Sequence, residues 1–304
     1  MVEHQQFSNQ ARGFSIIIAV YNDWAALQGC LQSLAHQTDG SSFEVIVVDD
    51  GSTEPAPEFV RSSNFSYPLV AIPQPHSGIP AARNKGIRTS RGTVLLFVDA
   101  DSRLQAGCLA ALGSAIASAP QHNCFQLRLV GNCSNLVGRA EELRLITFQQ
   151  YMLQPDGRIR YLNTAGFAIR RTRANIEAGV FDPAALRAED TLLLADLMQA
   201  GELPLFVPDA IVEHYIPLSL VGCFRKDIRS AYLEGRTYDI IASKRVRIWL
   251  THRERLQLLI SLWKTARQPS IGKSAWFVVV VRQALLRMIS FFYRCLRVGA
   301  RKHT

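Results

Sequence analysis

The sequence predicts an α/β protein with a mostly parallel sheet flanked by helices, followed by a basic helical extension. Three observations predict it: short apolar runs recur in the first hundred residues, helix-forming segments separate these runs, and the last third is rich in Lys and Arg. Uninterrupted apolar, β-branched runs are typical of strands buried on both faces. Alternation of strands with helices favours parallel connections. With 48% apolar and 19% charged residues, the composition is that of a folded protein.

The first hundred residues contain four predicted strands and two predicted helices. The strands share strong apolar character and occupy 14–20, 43–48, 68–72 and 93–98. A helix is predicted over 24–35 because apolar side chains recur there at helical spacing, namely Leu27, Cys30, Leu31 and Leu34. A second helix is predicted to begin near Pro80.

The second half of the chain has a less regular pattern. Residues 121–160 are mixed in character, strands are predicted over 161–170 and 205–212, and a helix is predicted at about 188–200. Near Pro217 the sequence becomes basic and helix-forming. We therefore predict a catalytic domain over 1–215 and a basic helical extension over 216–304.

The charge of the protein is concentrated in this extension. From residue 216 to the end there are 18 Lys and Arg against 4 Asp and Glu. Because the extension is also apolar and aromatic, its composition favours an anionic membrane surface over nucleic acid. A well-solvated helical tail is the alternative.

Two helices are predicted within the extension, over 254–267 and 274–298. The second is interrupted too often by arginine to span a bilayer. At about 100° per residue, one face carries Arg287, Ser290, Arg294, Arg297 and Arg301. The opposite face carries Leu285, Met288, Ile289, Phe292 and Leu296. This pattern predicts an interfacial amphipathic helix or a helix docked on the catalytic domain.

The cysteines and the first residues of the chain indicate the cellular compartment. Six cysteines occur without a Cys-x-x-Cys pair, so neither a zinc finger nor a disulfide framework is expected. The first residues are polar and lack a basic region followed by an apolar one, so no signal peptide is expected. We therefore expect the catalytic part to face the cytoplasm.

Polar side chains follow three of the predicted strands, as Tyr21-Asn22-Asp23, Asp49-Asp50-Gly51-Ser52 and Asp99-Ala100-Asp101. In an open parallel sheet, ligands bind beyond the carboxyl ends of the strands. Crowded carboxylates repel one another unless a positive group offsets the repulsion. A divalent cation holding a diphosphate is the simplest such group, and oxygen ligands suit Mg²⁺ or Mn²⁺. Each motif alone also fits a plain turn or helix cap, so the prediction depends on their conjunction.

The chain contains four motifs that together resemble those of a known enzyme family: SIIIAVYN, EVIVVDDGST, GIPAARNKGI and VLLFVDADS. In this order and spacing they resemble the donor-binding half of the family 2 glycosyltransferases, which have the GT-A fold. The segments NTAGFAIRR (163–171) and FDPAALRAEDTLL (181–193) are similar to the acceptor side of that family. The resemblance covers roughly residues 13–215.

The resemblance implies a set of donor-binding residues. Tyr21 and Asn22 are expected to border the nucleotide base, and Asp50 to accept a hydrogen bond from it, with Asp49 beside it. Further contacts along the nucleotide are expected from Gly78, Ala82, Arg83 and Asn84. Within these, Arg83 is the candidate phosphate or ribose contact.

The resemblance also implies the metal ligands and the general base. Asp101 is expected to bind the metal directly, and Asp99 to contact ribose or a metal-bound water. A histidine near His214 supplies a further metal or diphosphate contact in some family members, while a lone histidine more often has a structural role. Asp190, beside Glu189, matches the family's general base. An acidic first turn of a helix is the alternative for these two residues.

The resemblance implies transfer of a sugar from a nucleotide-diphosphate donor to an acceptor hydroxyl, with inversion. A UDP-sugar is the donor expected ahead of other nucleotide sugars. We expect a saccharide or lipid-linked acceptor, a role in polysaccharide or glycolipid synthesis, and peripheral attachment at the cytoplasmic face of the cell membrane. A nucleotidyltransferase is one alternative, although AVYNDWAAL lacks the glycine-rich phosphate loop expected of it. A catalytically silent nucleotide-binding scaffold is the other, although it would typically have lost Asp101 or Asp190.

Overall fold

The computed structural model describes residues 13–37, 40–62, 64–131, 135–185, 187–215 and 219–301, with side chains except at 231–236 and 290–301. The strands are β1 (Phe14–Val20), β2 (Phe43–Asp49), β3 (Leu69–Pro73), β4 (Val94–Phe97), β5 (Ser102–Leu104), β6 (Cys124–Gly131), β7 (Phe167–Arg170) and β8 (Leu205–His214). The helices are α1 (Trp24–Ala35), α2 (Glu58–Arg61), α3 (Ile79–Thr89), α4 (Cys108–Ser118), α5 (Leu136–Met152), α6 (Arg173–Glu177), α7 (Glu189–Gln199), α8 (Leu220–Ser243), α9 (His252–Ala266) and α10 (Lys273–Arg301).

The strands form one sheet in the order β3-β2-β1-β4-β7-β6-β8-β5. The first four are parallel to one another, whereas β7 is antiparallel to both β4 and β6. Alternate residues of β1 belong to different core clusters, because Ile16 and Ile18 point to one face of the sheet and Ile17 to the other. This two-sided burial explains the uninterrupted apolar run of β1. The predicted α/β class with a predominantly parallel sheet is confirmed.

The segment 161–170 is only partly a strand. Residues Phe167–Arg170 form β7, but Thr164–Gly166 form a 3₁₀ turn. The side chain of Asn163 accepts a hydrogen bond from Ala165 N at 2.9 Å. Asparagine competes in this way with strand pairing, since its side chain offers the backbone a local partner. The strand predicted over 161–166 is therefore wrong, and β7 begins only after the turn.

The mixed segment 121–160 contains a long strand and a long helix, β6 and α5. Helix α5 buries polar residues together with apolar ones, including Glu141, Thr147 and Gln149. Gln149 explains how this is tolerated, because its amide donates to Leu129 O at 2.7 Å and accepts from Leu129 N at 2.8 Å. A buried polar side chain with paired partners costs little. The apolar periodicity of α5 is thereby obscured in the sequence.

The C-terminal region contains three long helices where two were predicted, because α8 precedes the others. A cluster of apolar side chains joins α9 and α10 to Ala140 and Leu143 of α5. The basic extension is therefore packed on the first domain, and the predicted division at 215/216 stays a prediction, since 216–218 lie outside the described residues. Several residues of the predicted amphipathic faces also have side chains outside the described part of the structure, namely Ser290, Phe292, Arg294, Leu296, Arg297 and Arg301. Among the helices that the structure describes, none is long and apolar enough to cross a membrane.

Candidate active site

The loops that follow β1 and β2 are tied together by polar side chains. Asn22 has a φ of 54°, in the left-handed region that asparagine tolerates better than most residues. Its Oδ1 accepts hydrogen bonds from Thr53 N at 2.8 Å and from Thr53 Oγ1 at 2.9 Å. Asp49 Oδ1 accepts from Ser52 N at 2.9 Å. Asn22 and Asp49 thus shape this edge of the sheet, and their predicted contact with a nucleotide stays a prediction.

Asp50, the first residue after β2, is held by the loop that follows β3. The residue is only 3% exposed. Its Oδ1 accepts from Ser77 N at 2.9 Å and from Gln74 Nε2 at 2.7 Å, and its Oδ2 accepts from Gly78 N at 2.9 Å. Gly78 has a φ of 90°, which a residue with a side chain rarely adopts. The carboxylate of Asp50 is therefore fixed in orientation at the tip of β2.

An aromatic pair lies beside Asp50. The rings of Tyr21 and His76 stack with centroids 4.3 Å apart and an interplanar angle of 27°. His76 Nδ1 lies 2.9 Å from Asp50 Oδ2. Neither Gln74 nor His76 is among the site residues predicted from the sequence. Their position directly after a strand and before Gly78 is the signal that identifies them, because this loop reaches the same edge as the first two strand ends.

A group of potential metal ligands lies at the ends of β4 and β8. One ligand atom from each of Asp99, Asp101 and His214 lies within 4.8 Å of the others. The antiparallel pairing of β5 with β8 sets Ser102 opposite His214, and Tyr215 N donates to Asp101 O at 2.9 Å. This pairing brings His214 next to Asp101, although the two are far apart in the sequence. Two carboxylates and an imidazole form a donor set that fits a divalent cation.

Asp101 and His214 perturb one another's protonation. Their closest atoms, Asp101 Oδ2 and His214 Nε2, are 3.2 Å apart. Burial raises the pKa of Asp101, but the hydrogen bond and charge of His214 outweigh it, and the pKa is lowered overall. Burial lowers the pKa of His214, and the bond to Asp101 reverses this to a raised pKa. His214 Nδ1 is buried without a hydrogen-bond partner among the described residues.

Arg83 of α3 joins this ligand group to the start of α7. Its side chain is 3% exposed and donates to Asp99 Oδ1 at 2.7 Å and to Glu189 Oε1 at 2.8 Å. The guanidinium also lies 5.2 Å from the ring centroid of Phe181. Burial lowers the pKa of Arg83, and the charges of Asp99 and Glu189 more than offset this. Since Arg83 is buried and engaged at both ends, it holds Asp99 and α7 in a fixed relation.

The two residues that flank Arg83 in the sequence face the protein interior. Ala82 belongs to the apolar cluster beneath the sheet. Asn84 Oδ1 accepts from Val180 N at 3.0 Å and Phe181 N at 3.1 Å, and its Nδ2 donates to Phe181 O at 2.6 Å. The amide of Asn84 thus fastens the segment before α7 to α3. Their expected contact with the nucleotide stays a prediction.

Glu189 and Asp190 open α7 but have different surroundings. Glu189 is paired with Arg83, whereas Asp190 makes no ion pair among the described residues. Asp190 Oδ1 accepts from Thr191 N at 2.6 Å. Burial and the neighbouring charge of Glu189 raise the pKa of Asp190 to about 7. A carboxyl group with a pKa near neutrality is suited to general base catalysis.

A largely buried cluster of charged side chains joins α5, α8 and α10. Arg282 binds Asp227 through two bonds of 2.7 and 3.0 Å, and its NH1 lies 3.6 Å from Glu141 Oε2. Arg144 donates to Glu141 through Nε at 2.9 Å. Burial raises the pKa of Glu141, but the charges of Arg144 and Arg282 outweigh it and lower the pKa to about 2. The cluster fastens α8 and α10 to α5.

Part of the chain is similar to known glycosyltransferases. The Glycosyl transferase family 2 model matches residues 15–179. The glycosyltransferase AglE of Haloferax volcanii is 40% identical over 90 residues, which cover 29% of this chain and 30% of the relative. The glycosyltransferase GlyA of Streptococcus pneumoniae is 35% identical over 92 residues, covering 30% of this chain and 13% of the relative. The matched segment thus spans a third or less of these relatives.

Solved structures share the fold over nearly the whole chain. A mannosyltransferase from Pyrobaculum calidifontis, solved with GDP-Man and Mn²⁺, has a TM-score of 0.59 and 17% identity, covering 94% of this chain and 80% of that one. TarS 1–349 of S. aureus, solved with UDP-GlcNAc, has a TM-score of 0.54 and 17% identity, covering 93% and 91%. These similarities confirm the predicted GT-A fold. Because the family model matches more than half of the chain, the protein belongs to glycosyltransferase family 2.

Proposed function

We propose that the protein transfers a sugar from a nucleotide-diphosphate donor to an acceptor hydroxyl, with inversion and with the help of a divalent cation. The observation that carries the proposal is the bridge formed by Arg83. It joins Asp99 of the metal-ligand group to Glu189, the neighbour of Asp190. A ligand group for a diphosphate-bound cation and a candidate base are thereby held in one rigid arrangement.

Each residue has a defined task in this proposal. Asp101 and His214 would hold the cation, with Asp99 beside them, and the bound cation would stabilise the negative charge of the departing diphosphate. Asp190 accepts the proton of the acceptor hydroxyl as that oxygen attacks the anomeric carbon. One base on the acceptor side supports direct displacement, which inverts the configuration at that carbon. Glu189 neutralises Arg83 and leaves Asp190 without a cationic partner.

The donor is proposed to be a nucleotide sugar, with a UDP-sugar tested first. Structures of similar fold were solved with GDP-Man, with UDP-GlcNAc and with UDP. Two of the similar structures contain Mn²⁺. We propose Mn²⁺ ahead of Mg²⁺ as the cation, since the imidazole of His214 is a poorer ligand for the harder Mg²⁺.

The acceptor is proposed to be a saccharide or a lipid-linked saccharide in polysaccharide or glycolipid synthesis. We further propose that the protein works as a peripheral protein at the cytoplasmic face of the membrane. Exposed apolar side chains on α8 and α10 support this, among them Val221 at 68% and Phe277 at 63% exposure. Exposed arginines on the same helices, such as Arg225 and Arg287, supply the charge that anionic headgroups attract.

Turnover of a panel of UDP-, GDP- and dTDP-sugars with Mn²⁺ tests the proposal. We expect release of nucleoside diphosphate, its loss on adding EDTA, and its recovery when Mn²⁺ is restored. A nucleotidyltransferase would instead release pyrophosphate from a nucleoside triphosphate and a sugar phosphate. A silent scaffold would bind the nucleotide without turnover. Either result, or EDTA-insensitive turnover, would contradict the proposal.

A further inference from the structure

The imidazole of His76 occupies a position with two specific contacts. One face of the ring stacks on Tyr21, with the ring centroids 4.3 Å apart. In its plane, Nδ1 lies 2.9 Å from Asp50 Oδ2 and 3.0 Å from Asp50 O. Both neighbours are hydrogen-bond acceptors, so Nδ1 must carry the hydrogen. The side chain of His76 therefore presents a flat ring to Tyr21 and a ring N–H to Asp50.

The remaining partners of Asp50 belong to an anchored loop. The N–H groups of Ser77 and Gly78 both donate to the carboxylate, and Gln74 N donates to Asp49 O at 2.8 Å. A Cβ on Gly51 would lie only 2.6 Å from His76 N, so the backbone of the loop packs directly on the turn after β2. In contrast, the side chain of His76 is 58% exposed. The imidazole is thus free to rotate away while the loop backbone stays in place.

Removal of the imidazole would open one acceptor position on Asp50 and one face of Tyr21. A planar base with a ring N–H satisfies both at once. Uracil and thymine offer such a group at N3 and guanine offers one at N1. The ring nitrogens of adenine are acceptors only, and its donor is the exocyclic 6-amino group, which projects from the ring and does not reproduce the ring N–H of His76.

We propose that His76 fills the nucleobase position of the donor site in the free protein, and that a base with a ring N–H displaces it on binding. The inference rests on the proposed function, because it requires a nucleotide-sugar donor, and on the role at the base that the family resemblance implies for Tyr21 and Asp50. His76 is then a specificity-determining residue. His76 competes with the donor for this position. Only a base that stacks on Tyr21 and donates to Asp50 replaces the interactions that are lost when His76 leaves. The apparent affinity is reduced by the fraction of protein in which His76 occupies the position.

Binding of UDP, GDP and ADP in the presence of Mn²⁺, measured by titration calorimetry, tests the inference. His76→Ala is expected to bind UDP and GDP about threefold more tightly or better than the wild type, because the competing side chain is gone. His76→Asn keeps an N–H near the position of Nδ1 but lacks the ring, so its affinity should lie between the two. His36→Ala, which removes an exposed histidine at the end of α1, should bind as the wild type does. ADP should bind at least tenfold more weakly than UDP throughout.

The outcomes separate this inference from the proposed function. Unchanged or weaker binding of UDP by His76→Ala, with clear binding by the wild type, would overturn the competition but not the proposed function. ADP binding as tightly as UDP would overturn the selection by base. Failure of every protein to bind any of the nucleotides would contradict both. Histidine-ring NMR gives a second readout: UDP should shift the ¹⁵Nδ1 signal of His76 in the wild type, and an unchanged signal would contradict displacement.

Discussion

At the scale of single residues, the site depends on how each carboxylate is paired. Glu189 and Asp190 are adjacent carboxylic acids, yet the fold pairs Arg83 with Glu189 alone. Asp190 is buried beside the negative charge of Glu189, and both conditions raise its pKa and favour its protonated form. The same pair of residues thus supplies a structural anion and a candidate base.

Replacement of Asp190 by asparagine removes the proposed base. General base catalysis contributes about 10²–10⁴-fold, so Asp190→Asn should lower kcat by about that factor. The Kd for the donor, measured by calorimetry, should stay within about twofold because no donor contact is assigned to Asp190. Glu177→Gln, at a carboxylate exposed on α6, serves as the control. A near-normal kcat in Asp190→Asn would remove this residue from the base role.

The raised pKa of Asp190 predicts the pH dependence of activity. Because the base acts only after losing its proton, kcat should rise as pH increases through about 7. The folded-state pKa exceeds the unfolded value, so the folded protein binds more protons between pH 4 and 7, and this group's contribution to stability decreases as pH rises. Asp190→Asn should therefore gain in Tm relative to the wild type at pH 8 but not at pH 4. A kcat of the wild type that is flat from pH 5.5 to 8 would contradict this assignment.

Arg83 is a second residue whose substitution is informative. Lysine keeps the charge but not the two-pronged geometry that reaches Asp99 and Glu189 together. Arg83→Lys should lower kcat by about 10- to 100-fold, the scale expected of a misplacement near 1 Å, and should raise the Mn²⁺ concentration for half-maximal activity. Arg88→Lys, at an exposed arginine of the same helix, should leave both unchanged. A normal Mn²⁺ titration in Arg83→Lys would show that the bridge does not position Asp99.

At the scale of elements, the helices of the C-terminal region are fixed by buried charge as well as by apolar packing. Arg282 interrupts the apolar sequence of α10, which in isolation suggests a solvent-facing position. In the fold it lies against Asp227 of α8 and Glu141 of α5. This largely buried cation links α8, α10 and α5, because the carboxylates of Asp227 and Glu141 that it pairs with come from two different helices.

Loss of Arg282 should therefore destabilise the protein. Arg282→Met leaves the carboxylate of Asp227 buried without its partner, and such a change costs about 3–5 kcal/mol of unfolding free energy. Arg287→Met, at an exposed arginine one to two turns further along α10, should change it by less than about 0.5 kcal/mol. Urea unfolding monitored by circular dichroism measures both. Equal stability of the two variants would show that the charged cluster does not hold the helices.

At the scale of the whole molecule, the basic extension is not a free tail. It packs on α5 and also exposes apolar and basic side chains to solvent. Exposed apolar residues of these helices include Val221 and Ile228 on α8 and Phe277, Val281 and Met288 on α10. Docking on the catalytic domain and contact with a membrane, which the sequence presented as alternatives, are compatible in this arrangement.

Vesicle binding tests the proposed membrane contact. Burial of one large apolar side chain contributes about 1.5–3 kcal/mol, so Phe277→Glu with Met288→Glu should weaken co-sedimentation with phosphatidylglycerol vesicles by about tenfold or more. Leu256→Glu with Ile260→Glu, at two exposed apolar residues of α9, is the matched control. Wild-type protein should bind phosphatidylcholine vesicles much less and lose binding in high salt. Release by the α9 pair instead would assign contact to a different face.

The sequence determined the parallel half of the sheet and the acidic strand ends that follow it. Both are local properties, since an uninterrupted apolar run demands burial on two faces and the residue after it must emerge at the sheet edge. The Asp99–Ala100–Asp101 element and the loops after β1 and β2 are identifiable in this way.

Only the tertiary structure decided which side chains meet. The pairing of His214 with Asp101, the bridge through Arg83 and the stacking of His76 on Tyr21 join residues from distant segments, and nothing local in the sequence records such distances. The same holds for Gln149 of α5 and Asp227 of α8, which are buried and find their partners elsewhere in the chain. A pattern of apolar spacing reports what an element buries, whereas the pairing of polar groups depends on every element that packs against it.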